Sequence, residues 1–353
     1  MSIKKWCGLT LVPLALFFLL CITLIALIDP FQAYHLAKNY LPPIDKTSQV
    51  YSNPGIARNY AYDSAIVGTS VTENFCPSYM NSRLGGQFIK LCTSAGTVHN
   101  HAVLLDIAFR THMLKRIVYG LDAYSLVGKS DETAYALPDY LYTDTFLDDA
   151  PYWFNKSVWG TFIPRCLRTW GQIQDDSFRD RMYSWSGQDE YSVRAIEYNS
   201  VFESPNQVYQ ADAFLEKARE NIEANLLPFI KAHPETHFDI FFPPYSAAEW
   251  SNMESKGTLD ALLSLRPLCF ELLSAYENVT LYDFSTRQSW VLHGSNYKDT
   301  THYGEWINDA ITDCIATGDG VVTNQDTILH NNDTLRNWAH ALHDAKCWIF
   351  YSD

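Results

Sequence analysis

Apolar and polar positions follow two rhythms along this chain, and each predicts a different kind of element. The first is an uncharged run of 23 residues, Trp6 to Ile28, with Lys4 and Lys5 before it and Asp29-Pro30 after it. At 1.5 Å per residue such a run is long enough to cross a hydrocarbon core of ~30 Å. A cleaved signal peptide would carry a shorter apolar stretch, about 7 to 15 residues, ending in a small-x-small pair. Leu24-Ile25-Ala26-Leu27-Ile28 offers no such pair, and Cys21 follows Leu20 rather than a small residue, which speaks against cleavage at a lipidated cysteine. The run predicts a retained anchor, with the two lysines cytoplasmic and everything after Asp29 outside, periplasmic or extracellular.

The second rhythm is an alternation of short apolar runs with amphipathic stretches. Ser64-Ala65-Ile66-Val67, ending at Gly68, reads as a buried strand, followed by a helical pattern from His99 to Leu114. Arg116 to Asp122 reads as a second strand. Gln207 to Ala232 carries Phe214, Ala218, Ile222, Leu226 and Ile230 at spacings of four, a long helix in which Pro228 shortens or kinks the last turn. Phe238 to Phe242 is a strand stopped by Pro243-Pro244, and a helix from Thr258 to Tyr276 precedes a strand from Val279 to Asp283. Strands alternating with helices of this length predict right-handed crossovers and a mostly parallel sheet covered on both faces. Four β-α steps are visible. Residues 128–205 break the rhythm with Tyr140, Tyr152, Trp153, Trp159, Trp170, Tyr183 and Trp185, and read as an insertion over one end of the sheet. Its aromatics suit either sugar stacking or, more commonly, core packing.

This pattern divides the chain into a stub and anchor (1–29), a juxtamembrane segment (30–60), an α/β domain (61–310) and a C-terminal helical extension (311–353). The formal net charge of -14 excludes a phosphate-neutralising surface, so nucleic acid is not an expected partner. Without Lys4, Lys5 and Asp29 the exported part carries -15, which predicts repulsion from anionic lipid and a domain held off the bilayer by Pro30 to Tyr60. Outside the anchor lie Cys76, Cys92, Cys166, Cys269, Cys314 and Cys347, an even number in a compartment that permits disulfides. One to three bridges are expected, with Cys76–Cys92 the first pair to test.

In an open parallel sheet the chemistry belongs at the carboxyl ends of the strands. After the first strand, Gly68-Thr69-Ser70-Val71-Thr72 puts Ser70 at a strand-to-helix junction, where helix N–H groups can face an oxyanion. Serine also caps helices routinely. After the last strand comes Asp299-Thr300-Thr301-His302-Tyr303, whose Asp and His, three apart in a turn, can face one another, the carboxylate fixing the imidazole tautomer. The bland reading is a polar surface turn. Phe241-Phe242-Pro243-Pro244-Tyr245-Ser246 is a rigid loop at another strand end. His99 and His101 point to different faces of one helix, and His340 and His343 beside Asp344 read as ordinary exposed residues, so no metal site is expected. Asn155-Lys156-Ser157, Asn278-Val279-Thr280 and Asn332-Asp333-Thr334 would accept glycans in a eukaryotic secretory pathway.

Taken together, Gly68-x-Ser70 after the first strand and Asp299-x-x-His302-Tyr303 after the last, separated by an insertion and a Pro-Pro-Tyr loop, resemble the SGNH, or GDSL-like, hydrolase superfamily. The order of parts, with the leading anchor, is similar to its membrane-anchored cell-envelope branch, which includes the lipoteichoic-acid D-alanylation and alginate O-acetylation proteins. The resemblance spans about residues 61–310. It implies a three-layer α/β/α, flavodoxin-like domain behind one transmembrane helix, with Ser70 as nucleophile, His302 as base and Asp299 as its orienter. It also implies an oxyanion hole made by the amides of Ser70 and Gly96. Two positions depart from the family pattern. Thr69 stands where the superfamily usually has Asp, and Asp122-Ala123-Tyr124 follows the strand where an oxyanion Asn is expected, which leaves Asn100 as the candidate donor. An oxyanion donor is worth ~2.7 to 4 kcal/mol, so a missing one implies slow turnover.

The implied activity is acyl transfer or ester hydrolysis on an envelope polysaccharide or related glycopolymer through acyl-Ser70, without a cofactor. Its partners would be the glycan, the acyl donor and a membrane-bound acyltransferase. The alternative is a non-catalytic protein of the same fold that binds glycan or scaffolds an acylation system.

Overall fold

A computed structural model describes residues 3–187 and 189–346. Five parallel strands form its centre: β1 (Ser64–Gly68), β2 (Phe88–Cys92), β3 (Arg116–Gly120), β4 (His237–Phe242) and β5 (Val279–Asp283), in the order β2-β1-β3-β4-β5. This is the flavodoxin-like order, and its direction reverses between β1 and β3. Register runs Ser64 opposite Phe88 and Arg116, Val118 opposite Asp239, and Phe242 opposite Asp283.

β1 and β2 are buried along their whole length, as strands covered on both faces must be. On one face α2 (Gln49–Asn59), α4 (Val98–Thr111), α6 (Ala211–Asn225) and α8 (Leu259–Leu273) pack side by side in that sequence. On the other, α3 (Pro77–Leu84) lies against α9 (Glu305–Thr317). Two further helices, α7 (Ala247–Ser255) and α10 (Gln325–Ala345), pack on one another, and α10 also on α8. Between β3 and α6 the chain forms only short helical segments among the described residues, one of them α5 (Ile163–Arg168). The expected long helix from Gln207 is two helices, since it breaks at Leu226 ahead of Pro228.

β2 is the strand that the apolar pattern misses, because Lys90 interrupts it. Lys90 is fully buried, and its ammonium donates to the carbonyls of Glu73 (2.7 Å), Asp180 (2.6 Å) and Met182 (3.0 Å). Burial lowers its pKa from 10.5 to about 8. The unfolded chain therefore holds this proton up to the ordinary lysine range while the folded chain releases it near 8. Between those values the unfolded state binds more protons, so stability rises with pH. In urea titrations across that window, the wild type is expected to gain stability relative to Lys90→Met as pH increases; a constant difference would contradict the buried ammonium.

Two expectations are corrected. The first is the spacer. Residues 30–60 do not run as a separate linker; they are packed into the domain. The N-terminal helix α1 (Ile3–Ile28) ends with Ile25 fully buried in a cluster with Phe31, Tyr152, Trp153 and Phe162. The Asp29 carboxylate then accepts from the amides of Ala33, Tyr34 and His35 and from the Tyr152 hydroxyl. Net charge decides long-range repulsion, whereas these short contacts decide the local path. The second is the cysteines. Cys76, Cys92, Cys166, Cys269 and Cys314 are all free thiols. Cys92 lies inside the sheet, where its sulfur accepts from Thr72 Oγ1 at 3.1 Å, while Cys76 opens α3 beside Ser78. Cys347 lies outside the described residues.

Candidate active site

Gly68 ends β1 at the switch in sheet order. Its φ is +151°, and an added Cβ would lie 2.7 Å from Thr72 Cγ2 and 3.1 Å from the Gly120 carbonyl oxygen, so only glycine turns the chain here without strain. A single 3-10 turn, Ser70–Thr72, follows. Its bonds begin at Thr72 N→Thr69 O (3.0 Å), which leaves the amides of Ser70 and Val71 ahead of the first bond. Val71 and Thr72 are buried while Ser70 is half-buried, and Asn308 of α9 holds the turn from behind by donating to the Val71 carbonyl at 3.1 Å.

The Asp299–His302 turn meets this point from the other end of the domain. Ser70 Oγ lies 2.7 Å from His302 Nε2, and His302 Nδ1 lies 2.7 Å from Asp299 Oδ2. The other carboxylate oxygen of Asp299 accepts from the amides of Thr301 and His302, each at 2.8 Å. Burial works to raise the Asp299 pKa, but the His302 ring and these two amides outweigh it and hold the carboxyl below its ordinary value. With Nδ1–H donated to an ionised carboxylate, Nε2 is left with the lone pair that accepts the Ser70 hydroxyl proton.

The Pro-Pro-Tyr loop supports this turn. Ser246 donates to the Thr300 carbonyl through its amide (3.2 Å) and hydroxyl (2.7 Å), and Tyr297 donates to the Pro244 carbonyl at 2.6 Å. From the insertion, the Trp185 ring stands edge-on to the His302 ring with centroids 5.5 Å apart, and its indole N–H reaches the Ser70 carbonyl at 3.4 Å. Lys298 Nζ sits 3.9 Å from the centre of the same indole. The other insertion aromatics are mainly core: Tyr152, Trp153 and Tyr183 are all buried.

The expected oxyanion donors are placed differently. Gly96 N donates to the Thr93 carbonyl at 2.8 Å, inside a turn where a Cβ would meet that oxygen at 2.8 Å and His101 Nε2 at 3.0 Å. Asn100 forms a capping box with Thr97 at the start of α4, and its Oδ1 also accepts from Ala134 N, while its Nδ2, the group that would donate, is buried with no protein partner among the described residues. Asp122 is the residue whose role spacing does not reveal. It is buried behind the Ser70 turn, accepting from Thr69 Oγ1 (2.9 Å), Tyr245 Oη (2.5 Å) and Tyr124 N (2.9 Å), and so ties the ends of β1 and β3 together. Its position at the end of β3 is the one sequence signal that could have found it.

The other histidines singled out in the sequence each have a protein partner. His99 Nδ1 meets Asn225 Oδ1, His101 Nδ1 meets Tyr119 Oη, His340 lies 3.7 Å from Glu254, and His343 Nε2 faces the Glu203 carbonyl. Burial pushes His101 down to about 3, so it stays neutral. A cavity of about 920 Å³ shares Asn74 and Ser184 with the surroundings of the Ser70 turn and is also lined by Pro42, Arg168 and Glu305.

No protein-family model and no curated protein matches this chain. Among solved structures, one from Streptococcus pneumonia named for platelet activating factor is similar over 78% of this chain and 92% of that chain, at 10% identity and a TM-score of 0.42.

Proposed function

We propose that this chain is a membrane-anchored, SGNH-like serine enzyme that transfers or hydrolyses an acyl group on a cell-envelope glycopolymer. The observation that supports this best is the unbroken chain from Ser70 Oγ through His302 to Asp299, with both links at 2.7 Å. In this reading His302 Nε2 takes the Ser70 proton as Oγ attacks the acyl carbonyl. Collapse of the tetrahedral intermediate expels the donor's alkoxide, which leaves with the proton from Nε2, and acyl-Ser70 remains. His302 then deprotonates a sugar hydroxyl or water, which takes the acyl group and frees the serine. The Ser70 and Val71 amides are the candidate oxyanion donors. The anchor α1 is apolar enough to span a membrane from Leu9 to Ile28, and the proposed topology puts the N-terminus in the cytoplasm and the site outside.

A non-catalytic glycan-binding or scaffold role is the second reading, favoured by Asp122. A carboxylate accepts hydrogen bonds and cannot stabilise an oxyanion, and the Gly96 amide is already engaged with Thr93. The two readings separate on trapping the intermediate. Full-length protein in detergent, mixed with an activated acetyl ester and quenched by acid, is expected to carry the acetyl group on the Ser70 peptide. A folded protein that never acylates would favour the second reading.

A further inference from the structure

The N-terminal helix and the insertion together outline a surface that nothing covers among the described residues. Helix α1 is exposed on every side from Leu9 to Leu20, a stretch of about 18 Å. From Cys21 onward the domain covers one side of it: Cys21 and Ile25 are buried, Ile22 and Ile28 pack against the cluster that holds Tyr152 and Phe162, and Thr23 and Leu27 stay exposed. Even measured from the start of the uncharged run at Trp6, the length to Leu20 is about 22 Å, short of a ~30 Å hydrocarbon core. A membrane spanned by this helix must therefore extend over its last two turns, where protein already covers one side of it.

The residues that surround those turns fit that depth. Phe154 stacks edge-on against Phe18 at 5.1 Å, well up the exposed part of α1, and is 44% exposed. Phe146 packs on Trp153, and Leu147 beside it is 82% exposed. Trp170 is 59% exposed and stacks on Tyr40, whose hydroxyl binds the carbonyls of Ile28 and Asp29 at the helix end. Lys156 follows Phe154 by two residues and Arg168 precedes Trp170 by two; both are exposed and have no ion-pair partner among the described residues. Exposed aromatic and aliphatic side chains with cations beside them are the composition of a bilayer interface, where rings sit at headgroup level and cations meet lipid phosphates, and the exposed Asp144 and Asp148 that flank Phe146 and Leu147 belong at its aqueous edge.

We propose that Phe146, Leu147, Phe154 and Trp170 form a collar that sinks into the outer leaflet around α1, with Lys156 and Arg168 at the phosphate level. The occupant is the phospholipid bilayer itself, continuous with the helix that crosses it. The domain then sits on the membrane rather than swinging above it, in spite of its negative charge. This rests on α1 being a membrane span, and the test keeps the two apart.

The full-length chain is placed in nanodiscs of phosphatidylcholine containing a phospholipid with a diazirine on its acyl chain, irradiated, and mapped by peptide mass. Adducts are expected on α1 and also on the peptides carrying Leu147, Phe154 and Trp170. Replacing exposed Leu147 and Phe154 together by Asp should abolish the collar adducts and leave those of α1 unchanged. Adducts confined to α1 would overturn the collar while keeping the anchor, and would point to a protein partner for this face. No adduct on α1 would overturn both.

Discussion

A fluorophosphonate probe added to the purified full-length chain is expected to attach to Ser70, and labelling should vanish in Ser70→Ala and in His302→Ala. The probe reports an activated hydroxyl. Ser70 has one if the 2.7 Å contact with His302 Nε2 carries its proton away as the bond to phosphorus forms. Asp299→Asn should slow labelling by on the order of 10⁴, because the carboxamide presents an N–H to Nδ1 and favours the tautomer whose Nε2 cannot accept. Since the three act as a unit, the Ser70→Ala, His302→Ala double variant should be no worse than either single one. His340→Ala, half-exposed beside Glu254, should label like the wild type. Labelling that persists in Ser70→Ala would move the nucleophile elsewhere.

What the sequence reveals of this site depends on how local each contact is. Asp299 and His302 are three residues apart, so their pairing is written into one turn. Ser70 and His302 are 232 residues apart, and only the rule that chemistry gathers at strand ends joins them. The resemblance names the amides of Ser70 and Gly96 as oxyanion donors and leaves Asn100 to stand in for the missing Asn; a local turn bond claims the Gly96 amide, whereas the capping bonds of Asn100 hold only its carboxamide oxygen. Asp122 could not be read because its role comes from Thr69 and Tyr245, on two other segments.

The fold shows the same division. β1, β3, β4 and β5 announce themselves as apolar runs, while β2 hides behind Lys90, whose charge is solvated by carbonyls that no local pattern foretells. Helix α2 is hidden for another reason. Its buried face includes Gln49, Ser52 and Asn53, and it contains Pro54 and Gly55. Gly55 is required because a Cβ there would lie 2.3 Å from the Phe31 carbonyl oxygen, just past the anchor. The segment between anchor and domain looks like a linker in sequence because its partners are polar and distant.

Arg266→Ala is expected to destabilise the protein by about 3 to 5 kcal/mol, the usual effect of stranding one member of a buried ion pair. Arg266 and Asp283 are both almost wholly buried and joined by an ion pair at the end of β5. The same guanidinium donates to Asn332 Oδ1 at 2.6 Å and Ser285 Oγ at 2.8 Å, and it lies 5.0 Å over the Phe242 ring. Truncation leaves the Asp283 carboxylate without its cation, with only the neutral donors Ser285 and Asn331 against it, and removes one of the bonds that tie α10 to α8. At roughly 2 to 4 °C per kcal/mol for a chain above 150 residues, the midpoint of thermal unfolding in detergent should fall by about 6 to 20 °C. If the loss comes from the stranded carboxylate rather than from missing bulk, replacing both partners, Arg266→Met with Asp283→Leu, should recover much of it. A single variant that unfolds within a degree or two of the wild type would mean that water reaches Asp283, and the junction of β5, α8 and α10 would then be looser than this packing implies.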